Sequence, residues 1–432
     1  MTKGQAMSTV GSLYENTAPT APATDVLSGN HDADFVIFGA GYTGLSAAIY
    51  VARRGVKTIV LEAHGIGHGG SGRNHGHCVP VLGFINPKAA AEKLGAERGE
   101  RNTRILADSG AKVFSYIRDY GIDCEAAPTG ALQLAHSPKA MPAMERQHAF
   151  YASLGKKPLL LDRDQAVRMT GSQDFHGGWL HPDGGHLNPL AYVRGLARAA
   201  MLEGAALHTG SPAISIERQR GVWVITCPQG TVRAKRVGVA TNAYTGNLLP
   251  PLGRSFFTMI SYAIASEPLD PRLRQSIVPG NQSVGDSRPD VRYFRFDRDN
   301  RLIVGGLLEM VRGANFARTA AFMTRRMQGL FPQIGAIKWR WHWSGQLAIN
   351  MDRAPHLYNP AEGLFELVGY SGRGVPTATA LGEVLGEAGC GVPAGELPME
   401  ISELKPLAAG PLLSALVPRL RGPINRVRSI WS

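Results

Sequence analysis

The chain has 432 residues, more than one domain usually contains, and 44% of them are hydrophobic and 19% charged, which excludes a disordered protein. Its 46 basic and 34 acidic residues give a net charge of +12, to which the tail after Leu404 contributes five basic residues and no acidic one. Because no nucleic-acid-binding motif accompanies this charge, a nucleic-acid partner is not expected. No apolar run of about 18 residues, signal-peptide pattern or CxxC pair is present, which predicts a cytoplasmic protein.

The first periodic elements begin at residue 34. The preceding residues 1–32 are rich in Thr, Ala and Pro without a hydrophobic period, which predicts a flexible or draped leader. The run 34–39 predicts a buried parallel strand, 44–54 a helix and 57–62 a second strand. These three elements together have the size of a βαβ unit.

The rest of the pattern mixes helices and strands. Further helices are predicted at 89–120 (interrupted near Gly95 and Gly99), 190–203, 316–331 and 375–388. Strands are predicted at 130–135, 213–218, 222–227 and 236–240, in a β-like region 256–306, and at 339–343, where a tryptophan face alternates with a basic face. This order predicts one domain assembled from separated segments, with a β-rich domain inserted between them.

A G-x-G-x-x-G turn joins the first strand to the first helix, as Gly39-Ala-Gly41-Tyr-Thr-Gly44. The first glycine permits the turn, the second lets a pyrophosphate approach the backbone, and the third lets the helix pack on the strand. Glu62 ends the second strand, where a carboxylate can accept hydrogen bonds from a ribose. A chance glycine-rich turn is the alternative, but the strand–turn–helix context predicts a dinucleotide site.

The segment after the second strand distinguishes the dinucleotide. Residues 65–77, from Gly65 to His77, are dense in glycine and polar side chains. Such a loop can wrap a ribityl-pyrophosphate, with Ser71, Arg73 and Asn74 as donors. Nicotinamide enzymes need no such loop at this point, so FAD is the predicted cofactor.

These segments resemble the D-amino-acid-oxidase/sarcosine-oxidase superfamily of FAD enzymes and, within it, the γ-glutamylputrescine oxidase and pipecolate oxidase branch. The resemblance covers roughly residues 10–400. The motifs that carry it are Tyr14-Glu-Asn-Thr-Ala18, Gly39–Ala48, Leu61-Glu-Ala63, Gly70-Ser-Gly-Arg-Asn74, His181–Pro189, Ala240-Thr-Asn-Ala243, Gly305-Gly306, Trp343-Ser-Gly-Gln346 and Gly369–Val375. Each motif alone is weak evidence for the family, whereas all of them together are specific for it.

The element order and the resemblance predict a mixed α/β fold with a Rossmann-like FAD-binding domain of discontinuous segments and an inserted antiparallel β-sheet substrate domain. The predicted divisions are a leader at 1–32, an FAD-binding domain at 33–85, 155–245 and 345–400, a substrate domain at 86–154 and 246–344, and a basic tail at 401–432.

The resemblance also implies where each part of FAD is held. The backbone of Ala213 would hold the adenine, Ala240 to Asn242 would lie against the adenosine, and Gly369 to Val375 would close over the flavin ring. The full expected set is Gly39, Gly41, Tyr42, Thr43, Gly44, Glu62, Ala63, Gly70, Ser71, Gly72, Arg73, Asn74, Gly76, His77, Ala213, Ala240, Thr241, Asn242, Gly345, Gly369, Gly372, Arg373, Gly374 and Val375.

Two positions depart from the family pattern. The segment Trp343–Ile349 lacks the arginine with which amino-acid oxidases often grip the substrate carboxylate, which disfavours simple glycine or D-amino-acid oxidation. Arg373 stands where the close branch usually has histidine, and it could bind either a substrate anion or a flavin carbonyl. The residues expected to act in catalysis are His77, Tyr262, Arg295, Trp343 and Arg373.

Several aromatic and imidazole side chains have two interpretations. Tyr262, Tyr293, Arg295, Trp341 and Trp343 could line an apolar substrate cavity, or the tryptophans could be a sheet face packed on its neighbour. His75 and His77 could face the flavin or substrate, or could only bond a carbonyl. No attachment motif matches, so non-covalent FAD is expected, with covalent attachment through either histidine or Cys78 as the alternative.

The sequence thus predicts an enzyme that removes a hydride from a carbon bearing an amine and yields an imine. The expected partners are a small-molecule amine and O2 as acceptor. A dehydrogenase that reduces a membrane quinone and a non-catalytic FAD-binding subunit are the alternatives. The basic, apolar tail could contact a membrane surface, although Pro418 and Pro423 would interrupt a long helix there.

Overall fold

A computed structural model describes residues 11–288, 293–307, 315–407 and Gly410. Its helices are α1 Leu13–Thr17, α2 Tyr42–Ala52, α3 Pro87–Leu94, α4 Ala96–Ala107, α5 Ser109–Asp119, α6 Met141–Ser153, α7 Arg163–Thr170, α8 Pro189–Leu202, α9 Pro250–Gly253, α10 Phe316–Leu330 and α11 Gly374–Gly389. Its strands are β1 Gly29–Phe38, β2 Thr58–Leu61, β3 His77–Cys78, β4 Ala131–Leu134, β5 Leu159–Leu161, β6 Gly178–His181, β7 Gly185–His186, β8 Ala206–His208, β9 Ser215–Gln219, β10 Val222–Thr226, β11 Gly230–Val239, β12 Phe257–Pro268, β13 Ser283–Asp286, β14 Tyr293–Phe296, β15 Arg301–Leu307, β16 Trp339–Ile349, β17 His356–Ala361, β18 Leu364–Val368 and β19 Ile401–Ser402.

The nine-stranded sheet contains the predicted βαβ unit, which the structure confirms. Its main path runs β19-β17-β18-β11-β1-β2-β8, and β10 and β9 extend from β11. Strand β1 is parallel to both β2 and β11, and β11 is parallel to β18. The last four residues of β1, Phe35–Phe38, are buried, because helices pack on a parallel sheet from its faces. Helix α2 and helix α11 pack closely against each other on this sheet.

The eight-stranded sheet has the order β16-β12-β15-β14-β13-β4-β6-β5. All its neighbours are antiparallel except β13 and β4, which pair in parallel from Ser283↔Ala131 to Asp286↔Leu134. The predicted antiparallel sheet is therefore antiparallel at each described pair except this one. The physical reason is that β4 enters from a distant chain segment instead of through a hairpin.

The two sheets draw on separated parts of the chain, as the mixed α/β prediction requires, and that fold class is confirmed. Strands β5 and β6 fall within the segment 155–245, predicted for the FAD-binding domain, yet they extend the eight-stranded sheet by pairing with one another and with β4. The exact boundaries of the two domains remain a prediction.

Within the predicted leader, Ser12, Leu13, Tyr14 and Leu27 are buried against the fold, which agrees with the draped alternative at these residues. Ser12 caps helix α1 by accepting a hydrogen bond from the Tyr14 backbone N–H. Leu13 and Tyr14 are each 1% exposed and belong to the same core as helix α2. The flexible alternative is therefore wrong for these buried side chains, and for the rest of 1–32 the leader stays a prediction.

Strand β16 corrects the expectation of a tryptophan face and a basic face. Trp341 and Trp343 are buried, but so is His342 on the opposite face, where its ring stacks on Tyr262. Both faces of the strand are covered at this point. Among the described helices, none combines the length and the apolarity needed to cross a bilayer.

Candidate functional site

A cavity of about 1240 Å³ opens where strands β1, β2 and β11 end and where helices α2 and α11 begin. Pockets for a single small ligand usually have roughly 300–1,000 Å³, so this one has room for more. Its position at the carboxyl ends of parallel strands is where doubly wound sheets bind ligands. The predicted residues found in its wall are Gly39, Gly41, Tyr42, Thr43, Glu62, Ala63, Gly70, Ser71, Arg73, Asn74, His77, Ala213, Ala240, Thr241, Asn242, Gly345, Gly372, Arg373, Gly374 and Val375.

The glycine turn brings backbone close to the cavity. Gly39 has φ +101°, and a Cβ there would lie 3.0 Å from the carbonyl oxygen of Ala240. Gly41 is the N-cap of α2 and offers no side chain to its first turn. The Ser71 hydroxyl accepts a hydrogen bond from the Tyr42 N–H at 3.1 Å, which leaves its own proton free to donate. The helix N-terminus and this hydroxyl together can bind phosphate oxygens.

The third glycine of the turn, Gly44, lies behind the wall. A Cβ on it would lie 2.0 Å from the Gly39 carbonyl oxygen, so its role is close packing of helix on strand. Gly72 also lies outside the wall. A Cβ there would lie 2.3 Å from the Gly67 carbonyl oxygen, so this glycine allows close packing within the loop. Both positions shape the site without facing it.

Glu62 lies in the wall with both carboxylate oxygens oriented by backbone. Oε2 accepts a hydrogen bond from the Ala40 N–H and Oε1 accepts one from the His64 N–H, each at 2.9 Å. Each oxygen retains a lone pair, so the carboxylate can still accept from a ribose hydroxyl. The same end of the cavity is lined by Ala213 and Thr241.

The glycine-rich loop is braced from within by Asn74. Its Nδ2 donates to the carbonyl oxygens of Gly70 and Ser71, and its Oδ1 accepts from the Gly76 N–H at 2.8 Å. Asn74 therefore holds the loop shape instead of offering a free amide to a ligand. Gly76 itself lies outside the wall. It has φ +77°, and a Cβ on it would lie 2.0 Å from the Leu187 carbonyl oxygen.

The opposite wall is formed by the turn before helix α11. Gly369 has φ +92° and packs on Asn350 outside the wall, and its N–H donates to Asn242 Oδ1 at 3.0 Å. Arg373 is the N-cap of α11 and makes no side-chain capping bond. The N-terminus of α11 thus adds a second set of positive backbone dipoles to the cavity.

His75 and His77 both reach the cavity as neutral imidazoles. His75 Nε2 bonds the Tyr262 carbonyl at 2.9 Å, and burial lowers the pKa of His75 to about 4. His77 Nδ1 shares a hydrogen bond of 2.6 Å with the Ser283 hydroxyl, while its buried Nε2 has no partner among the described residues. Burial, with Arg295 as the next cause, holds the pKa of His77 well below its usual value.

Three predicted catalytic residues stand outside the cavity wall. Tyr262 presents its carbonyl to His75, Arg295 donates from Nε to the His75 carbonyl at 2.7 Å, and Trp343 donates from Nε1 to the Arg73 carbonyl at 2.9 Å. The expectation that they line the cavity is therefore wrong. The buried side chains of Arg295 and Trp343 support the loop from behind, and Tyr262 supports it through its backbone carbonyl.

Of the alternative cavity-lining set, only Tyr293 contributes to the wall. Cys78, one candidate for covalent attachment, is fully buried outside the wall, and burial raises the pKa of its thiol. Non-covalent FAD stays a prediction.

Helix α6 forms a further wall that the sequence did not indicate. Ala143, Gln147 and Phe150 line the cavity along one helical face, together with Arg146 and Tyr151. Tyr244 was also missed, and its hydroxyl accepts from the Gln346 N–H at 2.9 Å beside Gly345. Neither group carries a motif, and only the fold brings them to the site.

The residues present fit FAD. The turn that admits a pyrophosphate, the Glu62 carboxylate, the braced loop and the N-terminus of α11 all border one cavity. A side chain at Gly41 would place its Cβ 2.9 Å from Ser71 Oγ, in the space where backbone and ligand must approach. The cavity continues past these groups to His77, Tyr151 and Tyr293, which leaves a chamber for a second molecule.

Comparison with known proteins agrees with this geometry. The family described as DAO, FAD dependent oxidoreductase, matches residues 34–388. The probable oxidoreductase OrdL of Rhizobium meliloti (strain 1021) is 34% identical over 384 residues, 88% of this chain and 88% of that protein. The γ-glutamylputrescine oxidoreductase of Escherichia coli (strain K12) is 31% identical over 380 residues, 87% of this chain and 88% of that protein.

Solved structures share the fold at lower identity. Glycine oxidase from Geobacillus kaustophilus gives a TM-score of 0.68 at 20% identity, covering 88% of this chain and 97% of that chain. An L-amino acid deaminase from Proteus vulgaris with its insertion sequence deleted gives 0.71 at 16% identity, covering 89% and 97%. The resemblance predicted from the sequence motifs is confirmed.

Proposed function

Because the chain belongs to the DAO family of FAD-dependent oxidoreductases, we propose that it oxidises the C–N bond of an amine. The proposed substrate is a γ-glutamyl diamine or a related amine or secondary amino acid, and the proposed acceptor is O2. The observation that carries the proposal is the chamber beyond the residues expected to bind FAD. His77, Tyr151 and Tyr293 line it beside the Arg373 guanidinium, which has no acidic partner in the part of the chain that the structure describes. The name of the Escherichia coli relative supports the substrate class.

The reaction balances as a two-electron oxidation. A hydride leaves the carbon that bears the nitrogen, and the nitrogen lone pair forms the C=N bond of an imine. Bound FAD supplies the two-electron acceptor. Water then hydrolyses the imine to an aldehyde or keto acid and releases ammonia or an amine, while O2 takes up the two electrons and two protons as H2O2.

The chamber favours an unprotonated amine, which the reaction requires because the lone pair must be free. His75 and His77 are neutral near pH 7, since the pKa of each lies below its usual value. The Arg373 guanidinium adds a positive charge, and a second cation beside it is disfavoured. The residues of the chamber thus lower the pKa of a bound substrate amine without a dedicated base.

The wall also supports the expectation that simple glycine or D-amino-acid substrates are disfavoured. Strand residues Gly345–Ile349 line the cavity, and they include no arginine that could grip an α-carboxylate. Gln346 stands in this segment, and its backbone N–H is already bonded to Tyr244. Substrate recognition must therefore use other groups in the wall.

The test is anaerobic mixing of the purified holoenzyme with a panel of amines while the visible absorption of oxidised flavin is followed. The panel contains γ-glutamylputrescine, pipecolate, sarcosine, a D-amino acid and a simple alkylamine. Bleaching by γ-glutamylputrescine, with re-oxidation by air and formation of H2O2, is the expected result. Bleaching that only a quinone reverses would favour the dehydrogenase, and a flavin that no amine reduces would favour a non-catalytic subunit.

The basic tail matters only for the alternative in which the enzyme is a dehydrogenase that reduces a membrane quinone. Residues 411–432 lie outside the described residues, so peripheral membrane contact through them stays a prediction. Removing these residues should leave amine-dependent bleaching unchanged and should slow reduction of a quinone held in vesicles only if the dehydrogenase alternative holds.

A further inference from the structure

The cavity wall carries an excess of unpaired positive charge. Its acidic side chains already have partners: Glu62 accepts from two backbone N–H groups, Asp286 pairs with Arg288, and Asp352 pairs with His356 at 2.9 Å. Its arginines are Arg73, Arg146, Arg353 and Arg373. Among the described residues, none of these four arginines has an acidic partner, and Arg73 donates only to the His68 carbonyl oxygen. The wall therefore favours a ligand that carries negative charge, both in the cofactor and in a substrate.

Arg146 and Arg373 lie at different places along the wall, and the side chains of both are exposed. Arg373 acts electrostatically on Tyr151 and His77, which places it at the chamber where the reaction occurs. Arg146 lies five residues before Tyr151 on helix α6, about 7.5 Å further along the axis at 1.5 Å per residue. Tyr151 is 1% exposed, whereas the Arg146 side chain is exposed, so Arg146 stands at the solvent-facing edge of the wall.

The space between these two ends suits an elongated substrate. Gln147 and Phe150 line the wall between Arg146 and Tyr151, so a chain lying along the helix meets an amide and an aromatic ring. An α-amino acid has its carboxylate two bonds from the nitrogen and cannot place the nitrogen in the chamber and the carboxylate at the mouth. A γ-glutamyl diamine has its carboxylate many bonds from the terminal amine and can do both.

Arg353 is the less suitable anion ligand. It follows Asn350, which packs against Gly369 and donates to the Ala354 carbonyl, in the turn after strand β16. Gly369 in turn bonds Asn242, a residue expected at the adenosine half of FAD. Arg353 therefore belongs to the cofactor side of the cavity.

We infer that Arg146 binds the remote carboxylate of the substrate and so selects amines that carry an anionic group several bonds from the reacting nitrogen. This inference rests on the proposed function for the identity of the reacting amine. The binding itself does not depend on turnover, because a carboxylate can be held at the mouth whether or not the nitrogen reacts.

The first test measures binding alone. The probe is γ-glutamyl-n-butylamide, which keeps the γ-glutamyl carboxylate and lacks the reacting amine. Calorimetric titration of the holoenzyme should show about 10- to 100-fold weaker binding in Arg146→Gln, as expected for loss of a charge-assisted hydrogen bond, and a smaller loss in Arg146→Lys. The control Lys157→Gln removes an exposed cation just after the helix and outside the wall, and it should bind as the wild type.

The second test separates binding from chemistry. With γ-glutamylputrescine, Arg146→Gln should raise KM about 10-fold or more with kcat within about twofold, and with putrescine it should change neither. Equal binding of the butylamide by wild type and Arg146→Gln, or an equal loss in Lys157→Gln, would overturn the inference. If the butylamide binds through Arg146 but no amine reduces the flavin, the inference stands and the proposed function fails. If γ-glutamylputrescine is oxidised equally well by Arg146→Gln, the proposed function stands and the inference fails.

Discussion

The indole Nε1 of Trp343 donates a hydrogen bond of 2.9 Å to the carbonyl oxygen of Arg73, in the loop expected to hold FAD. The Tyr14 ring lies edge-on against the same indole at 5.0 Å, and Tyr14 accepts a hydrogen bond from Arg295. Arg295 also donates to the carbonyl of His75 in the same loop. Three residues from distant parts of the chain therefore fix the loop from behind without reaching the cavity.

Replacing Trp343 by Phe should weaken FAD binding. The variant keeps an aromatic ring beside Tyr14 but leaves the Arg73 carbonyl without its donor, so the FAD dissociation constant should rise about 10-fold. Trp339→Phe is the matched control, since its indole donates to Thr324 Oγ1 outside the cavity wall. Titration of the apoprotein with FAD measures both variants, and an equal loss in the two would show that the Arg73 bond is unimportant.

Replacing Gly76 by Ala should destabilise the protein strongly. Gly76 has φ +77°, and a Cβ there would lie 2.0 Å from the Leu187 carbonyl oxygen and 2.8 Å from Arg295 Nη2. We expect a loss of at least about 3 kcal/mol, from backbone strain and a steric clash together. Gly55→Ala is the control, because Gly55 has a similar φ of +73° with nothing within 4 Å, so only about 1 kcal/mol of strain applies. Thermal denaturation of the two holoenzymes compares them, and equal melting temperatures would refute the packing argument.

Those parts of the site that depend on local chain geometry could be predicted from the sequence. The glycine turn, Glu62 and the loop 65–77 follow one another along the chain, so a strand–turn–helix pattern determines where they meet. Gly369–Val375 could be placed because the family resemblance supplied a position for it. In each case a short motif carried enough geometric information.

The roles of Tyr262, Arg295 and Trp343 could not be predicted in the same way. A period of two shows that side chains alternate between two faces, but it does not show which face meets a cavity and which meets a loop. Both faces of β16 are buried from Trp341 to Ser344, so the pattern of burial is uninformative over those residues. Helix α6, Met141–Ser153, was not predicted at all, because only two of its residues are buried and its apolar periodicity is correspondingly weak.

Replacing Arg373 by Gln should move the pH dependence of flavin reduction. Arg373 holds a positive charge in the chamber, so its removal should raise the pKa of a bound substrate amine. The rising limb of the plot of flavin-reduction rate against pH should then move to higher pH by about one unit. The observed rate of anaerobic reduction between about pH 6 and 10 measures the limb, and a flat wild-type profile would contradict the requirement for a free amine.

Two further variants identify which group causes the rise of the flavin-reduction rate with pH. His77→Asn should leave its midpoint in place, because the pKa of His77 lies well below this range. Arg353→Gln removes a charge from the cofactor side of the wall and should shift the midpoint less than Arg373→Gln. A larger shift in Arg353→Gln would place the reacting amine elsewhere in the cavity.

Glu366 should make the protein less stable as the pH rises. It lies in strand β18 between Val239 of β11 and Tyr358 of β17, it is 1% exposed, and its Oε2 has no partner among the described residues. Burial raises the pKa of Glu366 from 4.5 to about 7. The folded state therefore binds the proton more tightly than the unfolded state, so this stabilisation is complete below pH 4.5 and is lost as the pH rises through about 7.

Glu366→Gln tests this dependence because it keeps the shape of the side chain and cannot ionise. At about pH 8 the variant should be more stable than the wild type by up to about 3 kcal/mol, and at about pH 4.5 the two should be nearly equal. Glu217→Gln makes the same chemical change at an exposed position of strand β9 and should alter neither value much. The melting temperatures of wild type and Glu366→Gln are compared at both pH values. A difference that does not grow with pH would contradict the prediction, and would mean that Glu366 is ionised in the folded sheet with a partner for its charge.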